Sequence, residues 1–65
     1  MKFTLEIDMD NAAFDDAAGN ELARILSNAA RTPFMECITR ELDRPAELPL
    51  RDYNGNKVGS VVVRP

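Results

Sequence analysis

Residues 2–9, KFTLEIDM, alternate between apolar and polar side chains. Phe3, Leu5, Ile7 and Met9 fall on one side, and Lys2, Thr4, Glu6 and Asp8 on the other. A period of two predicts a strand with one buried face. The period changes from Asn20 to Arg31, where Leu22, Ile25, Leu26, Ala29 and Ala30 recur at helical spacing and predict one apolar stripe. Glu21 and Arg31 carry the charges that a helix dipole favours at its two ends. Asp15 or Asp16 is one candidate cap for this helix, and Asn20 is another. Gly19 favours the later start, because glycine weakens a helix interior by about 1 kcal/mol. Thr32 precedes Pro33 and is pushed out of helical geometry, so the helix should end there.

Thr32-Pro33 also reads as a new start, since threonine caps and proline fits the first helical position. The following PFMECITRELDR sets Phe34, Met35, Ile38 and Leu42 on one side, with Glu36 and Arg40 spaced as a supporting pair. This predicts a second helix, with a single helix kinked at Pro33 as the alternative. Pro45 and Pro49 then close off helical structure.

Near the end, LRDYNGNKVGSVVV contains Asn54-Gly55, a strong signal for a hairpin with a two-residue loop. That loop sets Asp52 opposite Lys57, Leu50 opposite Gly59 and Leu48 opposite Val61. Leu48, Leu50, Val61 and Val63 then share one face, where Gly59 would admit a helix backbone. The other face carries Pro49, Arg51, Tyr53, Val58, Ser60 and Val62, a partly apolar patch. A three-residue loop with a bulge at Asn56 is the alternative register. The expected fold class is α+β, a single small domain of order β-α-α-β-β spanning residues 1–65. Its three-stranded, mainly antiparallel sheet packs on one or two helices.

A chain this short buries only ~60% of its unfolded surface, so its stability is marginal. Disulfides, metals or oligomerisation usually compensate. One cysteine, Cys37, cannot form an internal disulfide, and the chain has no histidine to complete a zinc site. A compact core, or a core completed by a second copy in a homodimer, remains. Nothing in the sequence is long and apolar enough to span a membrane, and the acid-bearing, alternating start is unlike a secretory signal. A cytoplasmic location with a reduced thiol is the expectation.

Charge is uneven. Residues 1–23 hold one base and six acids, a net of −5, while residues 24–65 hold seven bases and five acids, a net of +2. An acidic end disfavours phosphate backbones, and the bases are scattered among acids, so nucleic acid is not the expected partner. Asp52-x-Asn54-x-Asn56 resembles the start of a calcium loop, but Lys57 and Val63 stand where that loop needs glycine and glutamate. Asp8-x-Asp10 fails likewise, with Ala13 and Gly19 at those places. The expectation is no metal and no cofactor. The carboxylate pairs lie on loops or solvent faces, and Cys37, read as a small, partly buried helical side chain, has no histidine to activate it. No catalytic residues are assigned. What remains is binding through contact, with Glu6, Asp8, Asp10, Asp15 and Asp16 facing a basic surface and Arg51 and Tyr53 as rim or anchor contacts.

KFTLEIDMDNAAF, ELARIL and LRDYNGNKVG together resemble a group of short proteins encoded by bacteriophages and prophages. These share an opening strand followed by D-N-A-A-F, a helix with E-L-A-R-I-L and a closing L-R-D-x-N-G-N-x-V-G hairpin. The likeness covers about two-thirds of the chain and leaves out Ser27 to Pro49. It implies a setting and no site: a phage-encoded protein acting on a host or defence protein, similar in size and charge to anti-CRISPR inhibitors.

Overall fold

A computed structural model describes all residues, Met1 to Pro65. The first strand, β1, spans Lys2–Ile7. A 3-10 turn, Ala12–Phe14, leads to the helix α1, Ala18–Arg31. A second 3-10 segment, Pro33–Cys37, precedes β2, Ala46–Arg51, and β3, Lys57–Arg64. The sheet order is β1-β3-β2 with both pairings antiparallel, so the fold class is α+β as the patterns predict. No helix is long and apolar enough to cross a membrane.

The helix departs from expectation at its start and in its rotation. It begins at Ala18 with Ala17 at the cap position and no side-chain cap, so neither the early aspartates nor Asn20 starts it. Asn11 instead caps the 3-10 turn, its side chain accepting from Ala13 N–H at 2.9 Å. The buried positions of α1 are Glu21, Ile25 and Ala29, one helical stripe at a spacing of four. Leu26, placed in the stripe by the sequence pattern, is 41% exposed, and Ala30 is exposed too. The stripe is rotated because a buried carboxylate, Glu21, occupies its first position.

The second helix does not form. Thr32 is extended, which breaks the chain sharply after Arg31 and rules out one kinked helix. Its hydroxyl donates back to the Ala29 carbonyl at 3.1 Å. Proline does open the next element, but that element is only five residues long, Pro33–Cys37, and Ile38 is extended again. Cys37, Ile38 and Thr39 are poor helix formers in succession, and one Glu36–Arg40 pair is too little to offset them. Phe34, Ile38 and Leu42 still lean on the core as half-buried residues, so the apolar pattern is used without the helix. Cys37, expected to be partly buried, is exposed.

The hairpin combines two irregularities that cancel. Its loop has three residues, Tyr53 to Gly55, closed by Gly55 N–H to the Asp52 carbonyl at 3.0 Å and Asp52 N–H to the Asn56 carbonyl at 2.9 Å. Only Gly55 has positive φ, at 88°, whereas a two-residue type I′ loop needs it at Asn54 as well. Asp52 therefore faces Asn56, and Arg51, not Asp52, faces Lys57. One step on, a bulge sets Lys57 and Val58 against Arg51 and restores Leu50 opposite Gly59 and Leu48 opposite Val61. The bulge also brings Val58 into the core with Val61 and Val63, so the expected apolar patch on the outer face shrinks to Pro49 and Val62.

Gly59 does admit a close backbone, but it is a strand and not a helix. A Cβ there would overlap the Glu6 carbonyl of β1 and lie 2.9 Å from the Ile7 Cα. The core itself is thin: Ala13, Phe14, Ile25, Ala29, Leu50, Val58, Val61 and Val63, in a molecule 41 by 19 by 17 Å.

Candidate functional site

The two buried charged residues, Glu21 and Asp52, meet at one end of the molecule and tie three elements together. Asp52 stands at the first position of the hairpin turn. Its Oδ1 accepts from Asn54 N–H and Asn56 N–H, each at 2.9 Å. Its Oδ2 accepts from the Asn11 amide at 2.8 Å and the Asn56 amide at 3.4 Å. The Asn11 bond joins residues 41 apart and pins the connection after β1 to the hairpin. Every oxygen of the DYNGN carboxylate thus meets an N–H donor; the run turns the chain.

Glu21 does the corresponding work from α1. Its Oε1 accepts from Arg24 Nε at 2.7 Å and its Oε2 from Arg24 Nη2 at 3.0 Å, a two-pronged pair within one helical turn. Oε2 also accepts the Tyr53 backbone N–H at 2.7 Å, and Arg24 Nη2 reaches the Arg51 carbonyl at 3.2 Å. Helix and hairpin loop are thereby clamped through one carboxylate and one guanidinium.

These contacts set the ionisation. The Arg24 guanidinium holds the Glu21 carboxyl below its ordinary range, against the opposing effect of burial, and the Tyr53 N–H adds to the lowering. Glu21 in turn pushes the Arg24 pKa up. Burial pushes the Asp52 carboxyl up, but hydrogen bonds from Asn56, Asn11 and Asn54 outweigh it and leave its pKa lowered. Both carboxylates are kept ionised and engaged.

The residues proposed from sequence scatter around this clamp. Tyr53 sits at the hairpin tip, 62% exposed although its backbone is held by Glu21. It lines a shallow open dent with Asp16, Asn20, Arg24 and Ala17. Asp8 and Asp10 border a neighbouring dent with Asn11 and Lys57, and Asp8 accepts from Asp10 N–H at 3.0 Å. Asp15 is exposed at the end of the first 3-10 turn. The Asn11–Asp52 bond ties the dent of Asp8 and Asp10 to the hairpin turn, while Asp16 shares the other dent with Tyr53 at the hairpin tip. Glu6 lies on the outer sheet face opposite Ser60, two residues before Asp8 on the chain. Arg51 spends its guanidinium on the Gly55 carbonyl, at 3.1 Å, and supports the loop.

Glu21, Arg24, Asn11 and Asp52 are the residues that sequence reasoning missed as a group. An acid and an arginine three apart, and an Asp two residues before Asn-Gly, are the local signals they leave. Nothing local marks Asn11 as a neighbour of Asp52, or Glu21 as a neighbour of Tyr53. No family model, curated protein or solved structure matches this chain.

Proposed function

We propose that this chain is a non-catalytic protein-binding module, a phage-encoded inhibitor that docks an acidic, tyrosine-bearing end onto a basic surface of a host or defence protein. The observation that carries this reading is Tyr53: a largely exposed aromatic ring on a backbone fixed by Glu21 and Asp52. A tyrosine whose backbone is held in advance has less freedom to lose on binding, which suits an anchor residue. Asp8, Asp10, Asp15 and Asp16 supply the charge that steers a basic partner. The buried carboxylates support a binding role, because their oxygens are taken up in holding the loop. The phage setting rests on the likeness of KFTLEIDMDNAAF, ELARIL and LRDYNGNKVG to short phage proteins.

Affinity capture of the full chain from bacterial lysate, followed by titration of the captured protein, tests the reading. Asp10→Lys with Asp16→Lys should weaken binding about tenfold or more and flatten its dependence on salt. Equal affinity and equal salt dependence for the reversed variant would remove it.

A further inference from the structure

The two edges of the sheet are not equivalent. Asp8 N–H donates to the Val58 carbonyl at 2.7 Å, so the even residues of β1 turn their backbone groups toward β3. By the same alternation Phe3, Leu5 and Ile7 turn theirs outward, along an edge with neither proline nor bulge. The β2 edge is blunted. Asp52 N–H faces Asn56, so Pro49 and Arg51 point outward there. Pro49 has no N–H to offer, and the Arg51 carbonyl is already taken by Arg24.

We infer that β1 pairs with β1 of a second copy, antiparallel and centred on Thr4, to make a continuous six-stranded sheet. Self-complementarity identifies the occupant. In this register Lys2 of each copy lies opposite Glu6 of the other, Thr4 faces Thr4, and Phe3 faces Leu5. Opposite charges directly across a strand pair attract, and aromatic–aliphatic pairs on one face add packing. Phe3 is half exposed in the single chain and borders an open apolar groove with Met1, Ile38 and Leu42. The second copy brings its Leu5 against that ring. A thin core gains a covered edge, which is how a domain of this size commonly completes itself. This surface is separate from the hairpin end, and neither reading depends on the other.

Sedimentation equilibrium of the full chain tests it, with circular dichroism to check that each variant is folded. A dimer is expected at tens of micromolar. Lys2→Glu sets acids opposite each other at both symmetry-related places and should raise the dimer dissociation constant on the order of tenfold. Glu6→Lys should do the same, and the double variant K2E/E6K should return to within about twofold of the starting value, since the exchanged charges again face each other. Thr4→Lys, at the axis, should weaken the dimer without unfolding the chain. A chain that stays monomeric at these concentrations overturns the inference. So does a dimer indifferent to Lys2→Glu and Thr4→Lys, or one that the double exchange fails to restore.

Discussion

The buried carboxylate of Glu21 accepts the backbone N–H of Tyr53 at 2.7 Å, across 32 residues of sequence. That bond, with Arg24 on the same carboxylate, fixes the hairpin tip against the helix. Removing it by Glu21→Ala leaves a part-buried N–H and a part-buried guanidinium without their acceptor. The melting temperature should fall by roughly 10 °C, and the Tyr53 amide should exchange its hydrogen much faster while the β3 amides stay protected. Glu21→Gln keeps one acceptor oxygen and should lose less.

The same carboxylates make stability depend on acid. Glu21 and Asp52 both have lowered pKa values in the folded chain. The unfolded chain therefore takes up protons first as pH falls, and the stabilisation present above the ordinary carboxylate range is lost progressively below about pH 4. Thermal melts from neutral pH downward should show that decline. Asp52→Asn and Glu21→Gln should be less stable at neutral pH and should each flatten it.

Gly59 and Gly55 should respond differently to alanine. At Gly59 the added Cβ meets the backbone of β1, which has no rotamer to change. Gly59→Ala should cost about 3 kcal/mol in urea denaturation, by overpacking one strand against the next. At Gly55 there is open space but a φ of 88°, so Gly55→Ala should cost about 1 kcal/mol from conformation alone.

The rotation of α1 separates two neighbouring aliphatic residues. Ile25 is 2% exposed and Leu26 is 41% exposed. Ile25→Ala should destabilise by about 3 kcal/mol, and Leu26→Ala by well under 1 kcal/mol. Denaturant midpoints with unchanged slopes would read both.

How much of this is legible in the sequence depends on whether a residue's role is local. The alternation of Phe3, Leu5 and Ile7 and the register of Leu48 and Leu50 on Val61 and Gly59 follow from period and turn chemistry. That register holds although the loop has three residues, because the bulge at Val58 takes back the one-residue shift that Gly55 introduces. The rotated helix stripe was not legible: Glu21 reads as a solvent-facing dipole partner until Tyr53 and Arg24 surround it. The missing second helix reflects three weak helix formers, Cys37 to Thr39, whose effect the apolar spacing masks. Of the candidate site, the acids and Tyr53 could be picked by type. That the connection carrying Asp10 and Asn11 is pinned to the hairpin at Asp52 depends on a contact 41 residues apart.

The claim on which the functional account turns is that Tyr53, its ring exposed on a held backbone, anchors a partner protein. Isothermal titration of the captured protein against the wild-type chain and Tyr53→Ala measures it directly. Tyr53→Ala should stay folded and bind about thirtyfold more weakly, the loss expected of a central aromatic anchor. An undiminished affinity in the folded variant would contradict the account.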